Sequence, residues 1–224
     1  MKLNDPQFPQ FTELGEGDRV LIVRADGVVG LADKSLLGGS SGGGGEPTPT
    51  GVPLTFESVG DDNGVIYWYG SLEQTQPFVN PHTAGLLEFS ASSVEAGSLG
   101  VLADRSDSVF YTVSQVDSWI QLNLKTKKLK VNTYTLKNRA AGGGYYLRNW
   151  KLQGSNNLLQ PWVDLDVRVN DPTLNQDNTW GVFTCSNPSD TAFQVLRILE
   201  TGPNASGTYH MVLGEAEFYG LLTD

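Results

Sequence analysis

The chain has 224 residues, with 25 Asp and Glu against 15 Lys and Arg and a formal net charge of -10. That balance excludes nucleic acid as a partner, because phosphate binding draws on clustered Lys and Arg. A hydrophobic content of 39%, with aromatic residues 10% of the chain, supports a packed core, while a single cysteine (Cys185) excludes an internal disulfide and, with only His82 and His210 beside it, a closed Cys/His zinc site.

From the start, Met1 to Gln10 has no apolar core of the length a secretory signal requires, so synthesis in a cytoplasm without export is expected. No run approaches the roughly 20 apolar residues of a membrane span, so no membrane insertion is expected. Arg19-Val-Leu-Ile-Val-Arg24 and Val28-Val-Gly-Leu31, joined through Asp26-Gly27, predict a β-hairpin. Asp33 is placed to cap a short helical turn through Ser35, Leu36 and Leu37, which Gly38 ends. A module of residues 1–38 is too small for a core of its own, so it should bury its apolar face on copies of itself or on a partner. Gly38-Gly-Ser-Ser-Gly-Gly-Gly-Gly45 and Glu46-Pro-Thr-Pro-Thr-Gly51 then predict a tether over 39–52, flexible first and stiffer after.

Residues 53–224 carry strand patterns throughout. Ile120, Leu122 and Leu124 alternate with Gln121 and Asn123; Val163, Leu165, Val167 and Val169 alternate with Asp164, Asp166 and Arg168. Turn chemistry recurs at Gly60-Asp-Asp-Asn-Gly64, Ala141-Gly-Gly-Gly144, Asn170-Asp-Pro172, Asn187-Pro-Ser-Asp190 and Gly202-Pro-Asn204. No segment of helical length keeps a 3.6-residue apolar period. The fold class is therefore all-β, a sandwich or barrel. The basic run Lys125-Thr-Lys-Lys-Leu-Lys130 fits the solvated turn and edge of a hairpin.

Chemistry is sparse. Gly142-Gly-Gly144 lacks the Lys-Ser/Thr of a phosphate-binding loop. Cys185 has no base near it in sequence and fits a buried thiol. The pairs Asp164/Asp166 and Glu215/Glu217 sit two apart on strands and are expected to share a solvated face, unlike glycosidase carboxylates that confront each other across a cleft. No enzyme is expected and no cofactor, apart from calcium at the oxygen-rich turn Asp61, Asp62, Asn63, whose residues are also ordinary turn formers. Binding through loops fits better. The candidates are Tyr69 and Phe78, Tyr145, Tyr146 and Arg148 beside the glycines, and Trp180, since aromatic faces with a polar handle suit a saccharide or a protein hot spot.

Several boxes in order resemble the discoidin (coagulation-factor type C) family: Asn63-Gly-Val-Ile-Tyr-Trp68, Asn80-Pro81, Ser92-Ser93, Trp119-Ile-Gln-Leu-Asn-Leu124, Tyr134 to Arg139 with Leu147 to Ser155 and Trp162 to Leu165, Arg197-Ile198 with Thr201-Gly-Pro-Asn204, and Leu213 to Gly220. They look closest to the branch in ubiquitin-ligase and BTB-containing proteins. The resemblance implies a jelly-roll β-sandwich that binds through loops at one end, with Trp68, Trp119, Trp150 and Trp162 in its core; the disulfide usual in extracellular animal members is missing here. Separately, Leu14 to Gly38 resembles the N-terminal ends of bacteriophage tail-fibre and virion appendage proteins. That implies attachment to other virion proteins through residues 1–38, a homo-oligomer (a trimer by that likeness), and a sandwich that binds host-surface glycan or a virion protein. The alternatives are a purely structural capsid decoration or cement protein and a stand-alone carbohydrate- or protein-binding module.

Overall fold

Alternation along the strands decides which faces meet. The structure, a computed structural model, describes the backbone of residues 19–23 and 29–33, and residues 50–159 and 161–224 in full. It divides into two units, Met1–Pro49 and Thr50–Asp224. In the first, β1 (Arg19–Val23) pairs antiparallel with β2 (Val29–Asp33), from Arg19↔Asp33 to Val23↔Val29. Asp33, expected as a helix cap, is instead the last paired residue of β2; the turn expected over Ser35 to Leu37 lies outside the described residues.

In the second unit the strands are β3 (Val52–Leu54), β4 (Glu88–Ala91), β5 (Phe110–Tyr111), β6 (Trp119–Asn123), β7 (Lys128–Lys137), β8 (Trp150–Ser155), β9 (Val163–Arg168), β10 (Trp180–Thr184), β11 (Val195–Glu200), β12 (Val212–Leu213) and β13 (Glu215–Thr223). A four-stranded sheet in the order β10-β7-β13-β3 faces a five-stranded sheet in the order β4-β6-β11-β8-β9, and β5 pairs with β12 in a small third ladder. All pairings are antiparallel. Tyr134, Leu136, Phe183 and Phe218 on one sheet and Ile120, Leu122, Leu152, Trp150 and Ile198 on the other are buried together. This is the expected β-sandwich.

A polar clamp crosses that core. The Trp150 Nε1–H donates to the Tyr134 hydroxyl (2.8 Å), which donates to Asp166 Oδ2 (2.7 Å). Arg168 Nε donates to the same oxygen at 2.7 Å, and the Ser186 amide to Oδ1 at 3.1 Å. Burial alone would raise the Asp166 pKa, but the Arg168, Tyr134 and Ser186 hydrogen bonds outweigh it and hold the carboxyl below its usual range. Asp166 was expected on a wet face with Asp164. The β8–β9 register slips between Leu152 and Gln153, so Leu165 and Asp166 are both buried while Val163, Val167 and Val169 are exposed. Asp164 keeps a half-exposed place between Lys151 and Gln153.

Glu215 and Glu217, also expected in solvent, are buried. The reason is a third layer. Val65–Gly70 forms a one-and-a-half-turn helix, α1, over the outer face of β13, where the sequence pattern indicated no helix. Six residues cannot sustain a helix alone, and the cap comes from the sheet: Glu217 Oε1 accepts from the Ile66 amide (2.8 Å) and Oε2 from the Tyr67 amide (3.1 Å). Burial pushes the Glu217 pKa up to about 7 against the pull of these amides and that of Phe218. Gly64 precedes the helix because a Cβ there would stand 2.1 Å from the Glu217 side chain. Trp68 and Trp150 are buried as expected; Trp119 and Trp162 are only half-buried, the latter lying under the Arg197 guanidinium at 3.9 Å.

One further carboxyl is buried at the end of β11. Glu200 has no exposed surface, and neither of its oxygens has a hydrogen-bond partner among the described residues. Burial pushes its pKa up to about 8.

Candidate functional site: a loop-end cleft

One end of the sandwich gathers the long connections. Ala91 pairs opposite Ile120, Leu199 opposite Trp119, and Glu200 opposite Trp150; in the other sheet Lys137 pairs with both Trp180 and Glu215. Residues 92–118, 138–149 and 201–211 therefore leave the strands at the same end. The Glu95 amide donates to Tyr111 O (3.0 Å), Val113 to Ser93 Oγ (3.0 Å), Tyr209 to Ser114 Oγ (3.1 Å), and Ala205 to Tyr146 O (2.9 Å). Within the β5–β12 ladder, Phe110 and Leu213 are wholly buried, while Tyr111 and Val212 border a cleft.

That cleft has a volume of about 320 Å³ and is lined by Glu95, Tyr111, Arg139, Tyr145, His210 and Val212. His210 stands edge-on to Tyr145 (5.4 Å between ring centroids) and to Tyr111 (6.4 Å). Its Nε2 is 3.2 Å from Glu95 Oε2 and its Nδ1 is 3.0 Å from Thr208 Oγ1, which fixes the ring. The Arg139 guanidinium lies 5.1 Å from the Tyr145 ring centroid. Gly142, at φ +111°, makes room for it: a Cβ there would come within 2.6 Å of Arg139 Nη2.

Residues 50–224 contain five arginines, Arg105, Arg139, Arg148, Arg168 and Arg197. Four donate to named acceptors: Arg105 to Gly60 O, Asp61 O and Asp62, Arg148 to Asp171 O and Leu174 O, Arg168 to Asp166 and Thr184 O, and Arg197 to Gln153. Arg139 alone has no side-chain acceptor among the described residues. A half-buried guanidinium left in that condition at a cleft wall marks a place for an acceptor from outside.

Of the sequence candidates, Tyr145 lines the cleft and the others do not. Tyr69 is buried with its hydroxyl donating to Leu124 O (2.6 Å), so it is a core residue. Phe78 stacks on Tyr67 at 5.4 Å under the Arg105 guanidinium. Tyr146 reaches Asp177 (3.4 Å), and Arg148 pins the 171–174 turn through its carbonyls. Trp180 opens β10 beneath the Lys137 ammonium, 5.4 Å away, next to Glu215. Sequence reasoning missed Arg139, Glu95, Tyr111 and His210. His210 precedes β12 in the loop; Arg139 could have been flagged by its place at the mouth of the glycine run.

The turn proposed for calcium does not fit it. Asp61 Oδ2 accepts from the Glu57 (2.8 Å) and Ser58 (3.0 Å) amides, and Oδ1 from the Asn63 amide (3.1 Å) and the Tyr219 hydroxyl (3.0 Å). Three further oxygens of the turn, Gly60 O, Asp61 O and Asp62 Oδ1, converge on the guanidinium of Arg105 at 2.6–3.1 Å. The loop already holds a cation of its own. Cys185 is buried, and burial pushes its thiol up to about 12, so it is no nucleophile.

No protein-family model matches the chain. The E3 ubiquitin-protein ligase Ufd4 of Drosophila melanogaster is 30% identical over 180 residues, which is 76% of this chain and 6% of the ligase; the chain thus spans a small part of that relative's length. Among solved structures, the CBM32-5 module CpGH89CBM32-5 from Clostridium perfringens, in complex with GalNAc-β-1,3-galactose, aligns with a TM-score of 0.50 at 13% identity over 61% of this chain and 96% of that one. CBM32-3 from a family 31 glycoside hydrolase of Clostridium perfringens gives 0.50 at 15% identity, over 61% and 92%. The fold is discoidin-like. The cleft described above is built on loops at one end of that scaffold.

Proposed function

We propose that residues 50–224 form a non-enzymatic carbohydrate-recognition module that holds a short saccharide in the loop-end cleft. The carrying observation is the combination in one lining: the Arg139 guanidinium, which has no acceptor among the described residues, beside the Tyr145 ring, with Glu95 held on His210. Vicinal sugar hydroxyls both donate and accept, so a guanidinium and a carboxylate at one cleft can grip a pair of them, while an aromatic face takes the apolar side of the ring. The volume sits at the lower end of the range for small-ligand sites and suits one or two sugar units. A glycosidase would need two confronting carboxylates, and the lining has one. The complex of a structural neighbour with GalNAc-β-1,3-galactose supports the reading.

Residues 1–38 would attach this module to a larger assembly, a bacteriophage virion by the likeness of Leu14 to Gly38, and assembly of several copies would raise weak single-site affinity. The experiment for the module is a glycan array probed with the full chain, with Tyr145→Ala as the control. Binding that the variant loses while keeping its cooperative melting supports the proposal. A folded chain that retains no glycan would favour a structural decoration role instead. Sedimentation of the full chain tests the assembly.

A further inference from the structure

Building on that recognition reading, we infer that the saccharide is acidic: a uronate, sialate or sulfated sugar whose anion docks on Arg139. The charges around the cleft are unequally committed. Glu95 is held by His210 at 3.2 Å. Asp177, at the glycine-rich rim, accepts from the Gly143 amide (3.3 Å) and the Tyr146 hydroxyl (3.4 Å). Neither carboxylate comes within ion-pairing distance of Arg139. Among the described residues the guanidinium therefore has no acceptor for its five N–H donors and no carboxylate against its charge, whereas the other four arginines of this unit have each found carbonyls, carboxylates or amides inside the fold.

A half-desolvated cation without an acceptor is costly, and the cost is removed best by a planar anion that takes two parallel N–H···O bonds. Carboxylate and sulfate oxygens match that fork; a sugar hydroxyl takes one bond and brings no charge. Tyr145 shields one side of the guanidinium from water, which strengthens the pairing. The setting also makes the residue decisive. No other Lys or Arg lines the cleft, and the chain as a whole carries -10, so long-range attraction cannot gather anions here. His210, the other potential cation of the lining, is taken by Glu95, so a preference for an acidic sugar must arise at Arg139 by contact.

The test is calorimetric titration of the full chain with matched methyl glycosides: galactose against galacturonate, glucose against glucuronate, and N-acetylgalactosamine against its 6-sulfate. At least one acidic member should bind about tenfold tighter than its neutral twin, the step one bidentate charged pair supplies. Arg139→Gln should level the pair, and Arg139→Lys, which keeps the charge and loses the fork, should restore part of the preference; unchanged melting shows that both variants fold. Neutral sugars bound as tightly as acidic ones, or an acid preference surviving in Arg139→Gln, would overturn the inference and leave carbohydrate recognition standing. Binding of neither class by the folded chain would sink both.

Discussion

Replacing Glu200 by Gln should abolish a stability loss of about 3 kcal/mol that the wild-type chain suffers between pH 4.5 and pH 7. The carboxyl has no partner among the described residues and no exposed surface, and burial moves its pKa from 4.5 to about 8. Below pH 4.5 it is protonated in the folded and the unfolded chain, and its contribution is complete. Between 4.5 and about 8 the unfolded chain releases the proton while the folded chain keeps it, so stability falls as pH rises; above about 8 the loss levels off. The slope inside the window approaches about 1.4 kcal/mol per pH unit. Accumulated to neutrality, that is a large part of the roughly 5–15 kcal/mol that holds a domain together. Gln keeps the shape and removes the proton, and whatever its amide costs on burial does not vary with pH. Urea unfolding of both proteins at pH 4.5, 5.5, 6.5 and 7 gives the difference directly, and the titrations they share cancel. A difference that stays flat across the series would refute the claim that this carboxyl is buried without a partner.

Three further outcomes follow from the same packing. Gly64→Ala should destabilise the unit by about 2 kcal/mol or more, because its Cβ would collide with the Glu217 carboxylate that caps α1; thermal melting reads it, and a neutral result would show that the cap can move aside. Trp150→Phe removes the N–H that anchors Tyr134 and leaves a void, with an expected loss of about 2 kcal/mol in urea unfolding. Excess calcium should leave the melting temperature where a chelator leaves it, because Arg105 already occupies the oxygens of the Asp61 turn; a calcium-dependent rise would reverse that assignment.

Much of the architecture was legible because strands advertise themselves by alternation: Ile120 and Leu122 alternate with polar partners, although Gln121 between them is buried too, and the turn residues separate such runs. Where the pattern misled, a tertiary partner had changed the phase. The slip opposite Leu152 and Gln153 turned Asp166 inward and Val167 outward, and α1 depends on a carboxylate at position 217 that no local window contains. The same holds for the cleft. Tyr145 could be picked out as an aromatic next to glycines, but Glu95 and His210 meet only after β5 finds β12. Arg139 reveals itself only by a comparison among arginines, which requires knowing what each of them touches.

The Glu217 cap has a consequence for the order in which the domain can assemble. The amides it satisfies lie 150 and 151 positions earlier in the chain, and β3, near the start of the unit, has β13 as its only sheet neighbour among the described residues. The opening helix and opening strand thus have no place to settle until the closing strand has been made. During synthesis on a ribosome this domain stays open until β13 emerges, and a truncation within β13 unseats the beginning of the fold along with its end.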